Sequence, residues 1–484
     1  MPLDLKTTLL VGLAIALAAP LGSLRIAAAA DKEQPPAEPA PAQIKPGLRP
    51  FSLFSDNAVL QRAAKVPVWG TSDSREPVHI SFAGQVVTAA VRNGRWRADL
   101  VDLKYGGSHT LVIAQGKRRI EAKNILVGEV WLCGGQSNMQ WTVSMADGGK
   151  EAARTAGNPN LRLYTDPIGR WEASTPESVP NFSAVGYYFG RALQPVLGVP
   201  VGLVSSNQGG TTVERWISRE AIECTPAVKQ MPKPQGASDL WERKIRPLVP
   251  YAMRGVIWYQ GESNVDHAYQ YRDALTLLVR SWRAAWERGT FPFLVVQLAP
   301  IDKPSAQPQE TVWAELRESQ RLACNELERA PLCVITDLGD VTVHPPRKAG
   351  VGERLARIAR GAVYGEKLET SGPAYKSHEV KGDHVMVQFI HVGQGLVVKG
   401  DKLTGFTIAG ADRKFHPAEA TIERETVVVR SAKVRQPVAV RYGWASYPVV
   451  NLWNKDGLPA SPFRTDTFRL RSQPTALKPA GAKP

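Results

Sequence analysis

Apolar and polar residues alternate over short runs from Phe51 to about Lys123, as in Val66-Pro67-Val68-Trp69-Gly70 and Val78-His79-Ile80-Ser81-Phe82, with Gly, Asp and Asn between the runs. A period of two marks strands with one face buried, so 50–123 reads as a small antiparallel β domain. From Ile125 to about Tyr364 the texture changes. Mostly apolar runs, at 130–133, 201–205, 255–260, 293–298 and 333–337, alternate with longer amphipathic stretches such as 269–288 and 313–327. Strands without alternation are covered on both faces, and their succession with helices predicts a parallel sheet in an α/β domain over 124–366. After Glu366 the alternation returns at Val385-Met386-Val387-Gln388-Phe389, Thr426-Val427-Val428-Val429 and Val438-Ala439-Val440-Arg441-Tyr442, predicting a second β domain over 367–475. No repeat of fixed period is present.

The ends of the chain are of another kind. An apolar stretch from Thr8 to Leu21 follows Lys6 and gives way to Ala27-Ala28-Ala29-Ala30 before Asp31, the pattern of a secretory signal over 1–30. Pro20 and the nearby Arg25 keep the stretch too short for a membrane span. Residues 31–49, with Pro35, Pro36, Pro39, Pro41 and Pro46, read as a Pro-rich linker, and 476–484 as a disordered tail. The expected location is therefore periplasmic or secreted, with no stable membrane span once the signal is removed.

Composition narrows the choice. At 484 residues, 43% of them apolar and 13 of them Trp, the chain has the length for two or three domains and the material for their cores. The net charge of +15 is spread along the chain rather than gathered in blocks, and no nucleic-acid motif accompanies it. Cys133, Cys224, Cys324 and Cys333 lack paired metal-ligand spacing, so no metal site is expected. Cys133 reads as a buried thiol, and export permits, without requiring, a disulfide between Cys324 and Cys333.

Four polar clusters follow the apolar runs, where an open parallel sheet places its site. Gly134-Gly135-Gln136-Ser137-Asn138-Met139 comes first. Two glycines allow a sharp turn, after which Ser137 opens a helix, a presentation that suits a nucleophile and that a plain Gly-Ser-Asn turn also matches. Asn207-Gln208-Gly209-Gly210-Thr211-Thr212 offers backbone N–H groups that approach a ligand closely. Trp258-Tyr259-Gln260-Gly261-Glu262-Ser263-Asn264 brings an amide that donates to an oxyanion and a carboxylate, with Trp258 itself read as core. Asp337-Leu338-Gly339-Asp340-Val341-Thr342-Val343-His344-Pro345-Pro346 holds a histidine with a carboxylate four residues before it, the pattern of a base oriented by an acid. The other seven histidines, His79, His109, His267, His378, His384, His391 and His416, read as structural or exposed. The serine lacks the Gly-x-Ser-x-Gly setting of α/β-hydrolases, and His-Glu-x-x-His does not occur.

In this order the four blocks resemble the sialate O-acetylesterases, a branch of the SGNH (GDSL-like) hydrolases. The resemblance extends to Phe54-Ser55-Asp56 through Gln61-Arg62 and Val68-Trp69-Gly70 near the start, and to Arg441-Tyr442-Gly443-Trp444 and Gly457-Leu458-Pro459-Ala460 through Asp466 near the end. It implies an SGNH-type three-layer α/β/α hydrolase domain flanked by β-rich domains. It also implies a serine esterase acting on O-acetylated sugars, above all sialic acids, without cofactor or nucleic-acid partner. Ser137 then becomes the nucleophile and His344 the general base. Gly209, Gly210 and Gln260 become oxyanion donors, and Gln136, Asn138, Glu262 and Asn264 substrate-binding residues. Two departures stand out. Related enzymes place the acid three residues before the histidine, where Val341 stands here, leaving Asp340, Asp337 or a Ser-His dyad. Glu242-Arg243-Lys244 replaces the relatives' Asn-Gly-Met. The competing readings are an acetylesterase for plant or algal polysaccharide such as acetylxylan, and a non-catalytic carbohydrate-binding envelope protein.

Overall fold

One strand organises the molecule. Strand β1, Arg118–Gly135, is 18 residues long and changes character along its length. Its first residues are mostly exposed and pair antiparallel with Gly106–Gln115; from Ile125 onward every residue is buried. The expected boundary at 123/124 falls inside this strand, so the N-terminal β region and the α/β region share it. In the computed structural model, residues 46–167, 169–231 and 236–475 are described, and all lie in one compact unit spanning Lys45–Pro484. The signal segment 1–30, most of the linker and the tail 476–484 fall outside the described residues.

The buried half of β1 is the centre of a sheet built from β2 (Asn158–Thr165), β3 (Val201–Asn207), β4 (Gly255–Tyr259), β5 (Phe293–Val296) and β6 (Leu332–Cys333). The order is β2, β3, β1, β4, β5, β6, all parallel, with Trp171–Ser174 antiparallel at the β2 edge. With the antiparallel strands of the N-terminal region the fold is α/β with mixed sheets. Alternate residues of each central strand enter two different cores. Val130, Leu132, Val256 and Trp258 pack with α3 (Ala268–Trp286) and α4 (Val312–Glu326), and Trp258 sits wholly buried against Trp216 and Trp282 as expected. Trp131, Cys133, Ile257 and Tyr259 pack with α2 (Ala184–Leu197) and α5 (Lys348–Ala362).

The strand and helix expectations agree with these bounds to within about two residues, except at 130–133, which is the end of the much longer β1, and at 333–337. There β6 ends at Cys333, because Arg354 captures the Val334 carbonyl and the Asp337 carboxylate and draws the chain off the ladder. The C-terminal region is antiparallel, with His384–Ile390 beside Thr426–Arg430 and Phe406–Ala409 beside Ala439–Tyr442. All four cysteines are free thiols, and Cys133 is fully buried.

Three charged residues tie the outer regions to the α/β region. Glu129 on β1, wholly buried, accepts from Arg62 at 2.5 Å, from Arg254 at 2.6 Å and from Gln61 at 3.1 Å. On α4, Arg317 has no carboxylate partner among the described residues and donates instead to the carbonyls of Leu298, Ala445 and Ser446. Burial lowers its pKa to about 9. Glu315 on the same helix accepts from the N–H groups of Arg471 and Ser472.

The two guanidinium groups outweigh the burial of Glu129 and hold its pKa below the ordinary 4.5. Its stabilisation is therefore present above about pH 4.5 and lost as pH falls through the lower native value. Glu129→Ala is expected to lose about 3–5 kcal/mol, because the arginines lose a buried partner. Urea melts at pH 7 and pH 3 measure this: the gap between variant and wild type should be large at pH 7 and narrow at pH 3.

Candidate active site

The three loops that follow β1, β3 and β4 emerge side by side, because Gly135 of β1 is in register with Asn207 on one edge and Tyr259 on the other. Gly135 has φ +139°, and a Cβ there would lie 2.1 Å from the Tyr259 carbonyl oxygen, so only glycine lets β1 turn against β4. Ser137 then begins α1 (Ser137–Gln140), partly exposed, while Asn138 and Met139 point into the core.

Gly209 packs on the serine: a Cβ at this position would stand 3.3 Å from the Ser137 Cβ. The Gly209 N–H donates to Gln140 Oε1 at 2.8 Å, so an exposed amide oxygen occupies the acceptor position beside the serine. Gly210 sits in an open turn at φ +66° with no atom near its missing side chain. The two glycines therefore differ in role: Gly209 lies against the serine and Gly210 makes the turn.

His344 reaches the same corner through Trp141. The Trp141 N–H donates to the Ser137 carbonyl at 2.8 Å, and its ring stacks on the imidazole with centroids 4.9 Å apart. His344 Nε2 is buried and makes no hydrogen bond. A buried imidazole nitrogen without a partner is costly, and catalytic hydrogen bonds often tighten only when substrate is bound. The expected acid is not behind it. Asp340 Oδ1 accepts from the Thr342 N–H at 3.2 Å and so caps its own turn. Asp337 is engaged by Arg354 at 2.8 and 3.0 Å. Neither carboxylate bonds His344.

Four further residues expected at the site form its buried scaffold instead. Gln260 is wholly buried and gives both amide hydrogens away, to the Thr211 carbonyl at 3.0 Å and Asn264 Oδ1 at 2.7 Å, leaving none for an oxyanion. Asn264 also accepts from the Val213 N–H and donates to Glu214, locking the β3 and β4 loops together. The Gln136 amide receives the Gly261 and Ser263 N–H groups at 3.3 Å each. Asn138 donates to Glu262 Oε1 at 2.5 Å and to the Val343 carbonyl at 2.9 Å, which fixes the residue before His344. These side chains are buried because the loops they join are packed, and buried amides must be paired.

Sequence reasoning missed Lys348, four residues after His344. It is 1% exposed and donates from Nζ to Asn138 Oδ1. It lies 5.7 Å from the Trp141 ring and 5.5 Å from the Tyr259 ring. As the first residue of α5 it puts a cation at the positive end of a helix, a placement that costs stability. Burial lowers its pKa to about 7 against the opposing pull of Glu262, whose own carboxyl burial raises. His344 is held below its ordinary 6.5 by burial and by the Lys348 charge. The imidazole is therefore neutral at neutral pH, as a base must be. The only sequence signal for Lys348 is its one-turn spacing from the histidine.

Residues 127–357 match the family described as carbohydrate esterase, sialic acid-specific acetylesterase. A carbohydrate acetylesterase from Xanthomonas citri, known from its crystal structure, is 39% identical. It superposes with a TM-score of 0.82, covering 87% of this chain and 100% of its own. The sialate O-acetylesterase of Homo sapiens is 28% identical over 482 residues, 86% of this chain and 92% of that protein. The sialate O-acetylesterase of Mus musculus is 28% identical over 488 residues, 82% and 90% of the two.

Lys348→Met removes one of the two influences that depress His344. The acid limb of the pH profile of kcat/KM for p-nitrophenyl acetate is expected to move to higher pH, with a thermal melt confirming a folded variant. An unmoved acid limb in a folded variant would show that the lysine charge does not reach the base.

Proposed function

Since the chain belongs to the carbohydrate esterase family of sialic acid-specific acetylesterases and is a carboxylic ester hydrolase, we propose that it removes acetyl groups from sugar hydroxyls by serine catalysis, with O-acetylated sialic acids as substrates. The observation that carries the serine mechanism is the corner where the Gly209 backbone abuts Ser137 and His344 lies stacked on Trp141. Sialic acid as the sugar is drawn from the names of the matched family and of the curated relatives. The three-layer SGNH sandwich is the arrangement consistent with helices packed on both faces of the parallel sheet.

Ser137 Oγ attacks the acetyl carbonyl as His344 takes its proton. The oxyanion displaces Gln140 from the Gly209 N–H, and the Ser137 N–H provides a second donor. His344 then protonates the leaving sugar oxygen, and a water activated by the same imidazole releases acetate from Ser137. With neither Asp340 nor Asp337 bonded to the imidazole, His344 is held by the Trp141 stack and by the Asn138 bond to the Val343 carbonyl. The reading includes export to the periplasm or beyond, on the pattern of residues 1–30.

Ser137→Ala is expected to lower kcat on p-nitrophenyl acetate by roughly 10⁴-fold or more, the scale of loss when a serine nucleophile is removed. A variant as active as the wild type would end the serine mechanism. For the sugar, acetate release from O-acetylated sialic acid and from acetylxylan is compared at equal acetyl concentration. A higher kcat/KM on acetylxylan would transfer the assignment to plant polysaccharide.

A further inference from the structure

A cleft of about 980 Å³ lies between the N-terminal β region and the segment that leads into β4. Its walls include Arg49, Arg92, Arg95, Arg97 and Arg246 and no carboxylate. Two of the five meet an acid at the rim, Arg97 with Asp99 at 3.4 Å and Arg246 with Glu242. Arg92 and Arg95 are exposed and make no ion pair among the described residues. They are also forced together. Asn93 and Gly94 have φ of +48° and +70°, the two positive values of a tight primed hairpin turn, and the backbones of Arg92 and Arg95 bond each other in both directions at 2.9 Å. Like charges placed opposite each other across a hairpin destabilise it. The turn itself calls for Asn93 and Gly94 but sets no requirement for charge at the two flanking positions, so a repulsive pair at this spot points to an anion that it receives.

The floor of the cleft is aromatic. Trp69 is half-buried and stacks on Phe51 at 5.2 Å and 17°, and Trp96 beneath them donates its indole N–H to the Thr71 carbonyl. A flat ring beside guanidinium groups suits a sugar ring that carries a carboxylate, the fork of an arginine matching the planar anion. The cleft is not the catalytic corner. Residues 246–250 precede β4, whereas the serine lies beyond the other end of the sheet. The Arg254 N–H at the near end bonds Val130, five residues before Gly135 on β1, a separation on the order of 15 Å.

We propose that this cleft is a second carbohydrate-binding site, which holds carboxylate-bearing polysaccharide while the esterase site works on acetyl groups elsewhere on the glycan. The choice of a glycan rests on the esterase reading above, whereas the choice of an anion rests on the arginines alone.

The test is binding of the full chain to polygalacturonate by calorimetry, with dextran, dextran sulfate and polyglutamate as comparisons. Wild type is expected to bind polygalacturonate and not dextran, with affinity falling steeply between 0.05 and 0.5 M salt, as about a threefold shorter Debye length implies. Arg92→Glu with Arg95→Glu is expected to raise the Kd at least tenfold while the thermal melt and p-nitrophenyl acetate hydrolysis stay unchanged. Absence of binding, or a double variant that binds as the wild type does, overturns the site. Equal affinity for polyglutamate or for dextran sulfate alone overturns the carboxylated glycan as its ligand. Since the readout is binding, it stands or falls apart from which acetyl ester the enzyme cleaves.

Discussion

The close approach of β4 to the end of β1 is the constraint on which the site depends. Gly134 and Gly135 are paired on one side with Ser206 and Asn207 and on the other with Trp258 and Tyr259, so three strands stop at one level. Whatever follows them must share a small volume. A side chain at Gly135 would meet the Tyr259 carbonyl, and one at Gly209 would press on Ser137. The serine is presented because backbone, unencumbered by side chains, surrounds it on two sides.

What holds these loops is a set of buried polar bonds rather than apolar packing. Gln260, Asn264, Glu214 and Thr211 join the second loop to the third. Asn138 joins the first loop to the third through Glu262, to the histidine loop through the Val343 carbonyl and to α5 through Lys348. Groups of this kind are expensive to bury unless they are paired, and their mutual bonds restrict the loops to few arrangements. Glu262 and Lys348 do not touch; Asn138 stands between them, and the charge of the lysine is carried to within influence of the imidazole. The imidazole is influenced by a residue on the helix that follows it, and neither Asp340 nor Asp337 is bonded to it.

The sheet and the serine were legible because both depend on local pattern: apolar runs, paired glycines and the alternation with helices. The roles of Gln136, Asn138, Gln260 and Asn264 were not. An amide beside a nucleophile reads the same whether it faces solvent or the interior, and only the packing of one loop on another decides. The choice among Asp340, Asp337 and a Ser-His dyad was not legible for a related reason, since an Asp two residues before a free N–H can cap its own turn, as Asp340 does with Thr342. Lys348 was invisible because buried lysines are rare and a cation at a helix start looks like surface.

Arg317 shows how far the helices flanking the site depend on residues remote in sequence. Its guanidinium, wholly buried on α4, is met only by carbonyls, two of which belong to Ala445 and Ser446. During synthesis α4 is made more than a hundred residues before those carbonyls exist. Until they arrive, a cation must stay hydrated where the finished protein has none of the room for water. The catalytic layer can therefore close only after the C-terminal strands have been made, and a gene fragment ending at the α/β region encodes a core with a charge left inside it.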